Sequence, residues 1–117
     1  MQKLGKAISE AVYLIKDEER AILHVAAVFV NNFSNYLFYI GHQICEQEQL
    51  DFAILKPLIQ ETVHKIQHQL PYDMQTGPSK RGDQLTIQKH LAYLEKYPTY
   101  REIYALLSEQ IALAYVR

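Results

Sequence analysis

The sequence predicts an all-α fold, a bundle of about five helices with one long central helix. Three observations carry this. Apolar residues recur at helical spacing almost everywhere. No segment alternates apolar and polar residues between Gly-rich turns, and no Asn-Gly or Asp-Gly hairpin pair occurs. Finally, residues 18–48 share one broad apolar stripe, longer than most globular helices.

The elements follow in order. Leu4, Ile8, Ala11, Val12 and Ile15 mark one face of a first helix. Asp17 is placed to cap the next, with Glu18 and Glu19 favoured in its first turn by the helix dipole. That second helix runs from about Glu18 to Glu48. Ile22, Ala26, Phe29, Phe33, Leu37, Ile40 and Ile44 form its stripe, so it is either a central core helix or one that extends across a dimer.

Asp51 is placed to cap a third helix. Pro57 implies a short first turn, then a break or kink, then Leu58–Gln69 with Ile59, Val63 and Ile66 facing inward. Pro71 closes it. Pro71–Asp83 is expected to be one loop without periodicity, long for a compact domain. Asp83 then caps a helix to about Glu95, bearing Leu85, Ile87, Leu91 and Leu94. Pro98 opens a last helix carrying Ile103, Leu106, Leu107, Ile111 and Leu113.

Composition removes several functions. At 117 residues the chain suffices for one domain. A net charge of -1 leaves no excess cation to neutralise phosphates, which argues against nucleic acid as a partner. Cys45 is the single cysteine, so intramolecular disulfides and thiolate metal cages are excluded, and a reducing cytoplasmic setting is the simplest reading. Met1–Ala7 leads into Ser9–Glu10 with no apolar core before a cleavage site, so no signal peptide is expected. The longest apolar run, Val25–Val30, is far short of the ~20 residues of a membrane span, so no membrane partner is expected.

Two places could carry chemistry. On an α-helical wheel of ~100° per residue, His24, Asn31, Asn35 and His42 lie within about 20° of one another. This seam offers hydrogen-bonding side chains, and no Lys, Arg, Asp or Glu falls between Arg20 and Glu46. It reads either as an ordinary polar face or as a cleft wall for a polar ligand. The second place is the loop Gln75-Thr76-Gly77-Pro78-Ser79-Lys80-Arg81-Gly82-Asp83. Its glycines allow close backbone approach, and backbone amides at a helix start together with Arg81 suit an anion. The competing reading is a surface turn capped by Asp83.

Other candidates are weaker. His64 and His68 are spaced i, i+4, but no Glu completes an HExxH arrangement and no third ligand is evident, so they read as exposed polar residues and no metal site is assigned. His90 reads as a helix-edge residue, Cys45 as a buried inert thiol, and Arg81-Gly82-Asp83 as a chance likeness to an adhesion motif. No Gly-rich phosphate loop follows a strand.

Two segments together carry a resemblance. The first is His24-Val25-Ala26-Ala27-Val28-Phe29 through Asn32-Phe33. The second is Gln75-Thr76-Gly77-Pro78, Arg81-Gly82-Asp83, Thr86-Ile87 and His90-Leu91, with Pro57-Leu58-Ile59 and Glu61-Thr62 between them. From about Asp17 to Ile111 the chain resembles the helical C-terminal domain of unknown function in a bacterial family of Rossmann-type NADP oxidoreductases. Broader relatives of that family are pyrroline-5-carboxylate reductase and the hydroxyacid and 6-phosphogluconate dehydrogenases. The resemblance implies a substrate-binding and dimerisation half, with NADP or NAD held by a Rossmann half that these residues do not include. It implies a homodimer through the long helix and a small polar or anionic substrate. His24 and Asn32 would match catalytic positions, with Asn35, Thr76, Gly77, Pro78 and Arg81 binding substrate. Asn32 lies about 80° from His24 on the α-helical wheel, beside the seam and not in it. The alternative is a stand-alone helical interaction module without catalysis.

Overall fold

A computed structural model describes residues 16–116. The predicted first helix, with Leu4, Ile8, Ala11, Val12 and Ile15, lies outside the described residues. Six helices and no strand occur among the described residues. The chain divides into two compact units whose boundary falls between Phe52 and Ala53.

The first unit is built on α1, Asp17–Gln47, a continuous helix of 31 residues and about 46 Å at 1.5 Å per residue. Asp17 does not cap it. Lys16 occupies the N-cap position without a side-chain hydrogen bond, and Asp17 is the first helical residue. Its carboxylate instead accepts from Arg20 at 3.4 Å. Asp17, Glu18 and Glu19 still place negative charge in the first turn, where the helix dipole favours it.

Between the α-helical stretches Asp17–Ala27 and Ser34–Gln47, the backbone of Val28–Phe33 is π-helical. The helix ends in a Schellman motif: Leu50 N–H donates to Cys45 O at 2.8 Å and Gln49 N–H to Glu46 O at 3.2 Å. The motif needs a left-handed residue after the cap, and Gln49 supplies it at φ 58°. Gly41 leaves the Phe52 ring an ordinary van der Waals approach, and Phe52 meets His42 edge-on at 5.3 Å.

Among the described residues the apolar stripe of α1 is left exposed, which does not fit a central core helix and leaves the dimer-spanning alternative open. Ile22 is 70% exposed and Phe29 62%, and Cys45 is the one buried residue of α1. By length and composition alone this helix could also cross a membrane. The run Val25–Val30 understated that property, because the apolar residues are spread along the helix.

The 3-10 turn Phe52–Leu55 begins on the last residue of the first unit and runs into α2, Lys56–Ile66, of the second. Pro57 sits in the first turn of α2, where its missing N–H costs nothing, so it opens the helix instead of kinking it. Leu55 holds the N-cap position, and Asp51 precedes the 3-10 turn. The expected inward face is also only partly covered: Ile59 is half-buried, while Val63 and Ile66 are exposed.

The predicted loop is not irregular throughout. It contains two single helical turns, α3 (Pro71–Met74) and α4 (Pro78–Arg81), each opened by a proline. One turn is too short to leave a periodic trace in sequence. α5 (Gln84–Tyr93) follows with Asp83 as its cap, as expected, then the 3-10 turn Leu94–Lys96 and α6 (Pro98–Ala114). α4, α5 and α6 pack on one another around Ile87, Leu94 and Ser79, which are buried. Leu85, another apolar residue of α5, is exposed. The end of α6 is tied to α3, where Tyr115 stacks on Tyr72 at 4.4 Å and its hydroxyl donates to Tyr72 O. The Lys80 ammonium lies 5.2 Å from the Tyr115 ring centre.

Candidate functional site

The sequence-predicted site residues fall in two sets, His24, Asn32 and Asn35 on α1 and Thr76, Gly77, Pro78 and Arg81 in the second unit. The π-helical stretch changes how the first set is arranged. A turn closed i to i+5 takes in one residue more than an α turn. Beyond it the helical wheel is therefore displaced by about one residue, roughly 100°. The seam of His24, Asn31, Asn35 and His42 assumed α turns throughout, so it does not hold as one line. Asn35 and His42 stay together beyond the π stretch but turn away from His24. Asn32, near the end of that stretch, turns toward the face of His24.

His24, Asn32 and Asn35 are all exposed. They offer an imidazole and two amides, groups that hydrogen-bond to carbonyl, hydroxyl or carboxylate oxygens. His42 has local partners, Phe52 and the Glu46 carboxylate, the latter 3.8 Å away.

In the second set, backbone conformation explains the glycines. Gly77 has φ 104° and ψ 170°, and Gly82 is left-handed at φ 71°. A side chain at either would meet open space, so backbone geometry alone demands glycine. Gly77 turns the chain into α4, and Gly82 turns it out. Gly77 and Pro78 are half-buried, while Thr76 and Arg81 are exposed. Gln75 Nε2 donates to Thr76 O at 3.1 Å. Thr76 lies at the edge of a groove of about 360 Å³ between α2 and α3, with Leu58, Ile66 and Met74 among its apolar walls and Glu61 and Lys65 among its charged ones.

The helix start expected to receive an anion already holds one. Asp83 accepts from the Thr86 backbone N–H at 3.1 Å and from the Thr86 hydroxyl at 2.7 Å. These bonds, with Arg81 at 3.5 Å, hold its carboxyl below the usual range. Arg81 therefore has an internal carboxylate partner, and any substrate anion must share or displace that contact.

Sequence reasoning passed over Ser79, the one buried polar residue among the described residues. Its hydroxyl donates to Ser108 O and pins α4 to α6. The Tyr104 hydroxyl lies 2.7 Å from His90 Nδ1, joining α6 to α5. Burial raises the Tyr104 phenol above its ordinary value, and a bond with Ser108 partly opposes this. Only the Asp-x-x-Thr spacing of Asp83 and Thr86 had a local signal. The other pairs join residues far apart in sequence.

The described residues contain no strand, and so no strand followed by a Gly-rich turn. They include no group of three or more His, Cys, Asp or Glu side chains that could hold a metal ion.

Comparison with known proteins places this arrangement. The chain is similar to a Bacteroides fragilis protein whose crystal structure is named as that of a putative NADP oxidoreductase, with 37% identity and a TM-score of 0.82. The match covers 84% of this chain and 38% of that one, so the chain spans well under half of that protein's length. No curated protein matches the chain. Residues 1–111 match the family model described as a domain of unknown function, DUF2520, and the chain belongs to that family.

Proposed function

We propose that this chain is the substrate-binding and dimerisation domain of a longer NAD(P)-dependent oxidoreductase, with no turnover of its own. The observation that carries this reading is the 37% identity to a named NADP oxidoreductase over 84% of the chain. The exposed apolar face of α1 supports the dimerisation part, since uncovered apolar surface of this extent marks an interface.

In this reading NADP or NAD is held by a Rossmann half outside this chain, and the nicotinamide supplies the hydride chemistry. His24 and Asn32 hydrogen-bond the reacting carbonyl, imine or alcohol, and His24 exchanges its proton. Asn35, Thr76, Gly77, Pro78 and Arg81 contact the rest of a small polar or anionic substrate. The homodimer covers α1, and the protein is cytoplasmic, free of membrane and nucleic acid. Three amides (Asn31, Asn32 and Asn35) near the middle of α1 favour a protein partner over lipid, where polar groups need internal partners.

Two measurements test this. In the longer protein, His24→Ala should abolish most NAD(P)H-dependent turnover, and unchanged turnover would remove His24 from the mechanism. Light scattering on this chain should give twice 13.7 kDa. The same apolar face favours a second reading, a stand-alone interaction module. That reading gains if the longer protein neither binds nor oxidises a reduced nicotinamide while this chain still associates.

A further inference from the structure

The geometry points to a second site, unconnected with dehydrogenase chemistry: His64 and His68 form a two-imidazole clamp for a borderline divalent transition-metal ion. The pair sits at the C-terminal end of α2, where the chain stays wound past Ile66. Gln67 N–H donates to His64 O at 3.2 Å, His68 N–H to Lys65 O at 3.0 Å and Gln69 N–H to Lys65 O at 2.9 Å. This extra turn keeps both side chains on one face at i, i+4 spacing.

The rings are already at ligating separation. Their centroids lie 5.0 Å apart with 65° between planes. A metal–imidazole nitrogen bond is about 2.0–2.1 Å, and the ring centre lies about 1.1 Å beyond the nitrogen. Two imidazoles bound at 90° to 109° therefore have centroids about 4.5–5.2 Å apart. The observed value falls inside that window, so chelation needs rotation of the rings and no backbone movement.

Both histidines are exposed, and neither imidazole makes a hydrogen bond within the described chain. His42 and His90, by contrast, have polar partners in Glu46 and Tyr104. The pair also lies at the negative end of the helix dipole, which favours a cation. With no third protein ligand grouped there, the remaining coordination positions belong to water or a small exogenous ligand. Imidazole donors select Cu²⁺, Ni²⁺ and Zn²⁺, and not Mg²⁺ or Ca²⁺.

The test is titration of the untagged, chelator-treated chain with Ni²⁺ by calorimetry, with Mg²⁺ as the control ion. The expected result is one Ni²⁺ per chain in the micromolar range, no Mg²⁺ binding, and weakening as pH falls, because protons compete for the same nitrogens. His64→Ala and His68→Ala should each abolish this binding, and His42→Ala should leave it intact. Circular dichroism checks that each variant keeps its helix content. Absence of Ni²⁺ binding, or Ni²⁺ binding that survives either single variant, overturns the site. So does binding that requires two chains, seen as a doubled mass on Ni²⁺ addition that reverses on dilution.

Discussion

Asp83 and Thr86 form a two-bond lock at the start of α5. One carboxylate takes both the backbone N–H and the hydroxyl of Thr86, at 3.1 and 2.7 Å. This ends the left-handed turn at Gly82 and fixes where α5 begins. The lock works only with an ionised carboxylate, and its pKa is lowered chiefly by the Thr86 hydroxyl, then by the Thr86 N–H.

The sign of the pH effect follows. A carboxyl group with a folded pKa below its unfolded value of 3.8 stabilises the fold above that value. The contribution disappears as pH falls through the lowered folded pKa. Urea midpoints of the wild-type chain should therefore drop between neutral pH and strongly acidic pH. Asp83→Ala should lower the neutral-pH midpoint and flatten the acid limb. An equal acid limb in the variant would assign that limb to other carboxylates.

Gln49 occupies the one left-handed non-glycine position among the described residues. A left-handed L-residue costs roughly 1–2 kcal/mol, and glycine gives back roughly 0.5–1 kcal/mol in unfolded-state entropy. Gln49→Gly should therefore stabilise the chain by about 0.5–1 kcal/mol, read as a rise in the urea midpoint at constant slope. A fall would mean that the Gln49 side chain contributes more than its backbone costs.

Gly77 and Gly82 should behave in the opposite way. A Cβ at either meets nothing within 4 Å, so alanine there introduces backbone strain without a clash. Gly82→Ala should destabilise by roughly 1–2 kcal/mol. Gly77→Ala should cost about 1–3 kcal/mol, because its φ and ψ lie in a region essentially restricted to glycine. Gly82→Asn should recover part of the loss, since asparagine tolerates the left-handed conformation, and Gly77→Asn should not. Equal rescue at both positions would refute the distinction.

What could be read in advance follows from the range of each signal. Helical periodicity and the Asp83 cap are local, so the all-α fold, α5 and α6 were legible. The burial pattern was not. Ile22, Phe29, Val63 and Leu85 have core-type side chains, yet all are exposed, because amphipathicity says that a face wants cover without saying what covers it. Single turns such as α3 and α4 are shorter than one hydrophobic period. Ser79 could not be singled out because its acceptor, Ser108 O, is 29 residues away. The His64–His68 spacing was visible, but the ring separation that makes it a candidate metal clamp required coordinates.

The π-helical stretch Val28–Phe33 supplies the sharpest prediction for the proposed enzyme. On an unbroken α-helical wheel Asn35 shares the line of His24, and Asn32 lies about 80° away. With one residue of π insertion the assignment reverses, because everything beyond Phe33 is displaced by roughly 100°. In the longer protein, Asn32→Ala should therefore lower kcat/KM together with His24→Ala, while Asn35→Ala should act mainly on KM. A double substitution of His24 and Asn32 should cost less than the product of the single effects if both act on the same substrate atom. Deleting Val30 offers an independent check, because it removes the extra residue and restores α register. The variant should keep its helix content and, with Asn32 now seven residues after His24 and so about 20° from it on the wheel, keep both on one face and retain turnover; loss of turnover would mean that the π stretch does not set this facing. If Asn35→Ala matched His24→Ala while Asn32→Ala left turnover untouched, the substrate would be reading the helix as an uninterrupted α-helix, and the π stretch would not set the face presented to it.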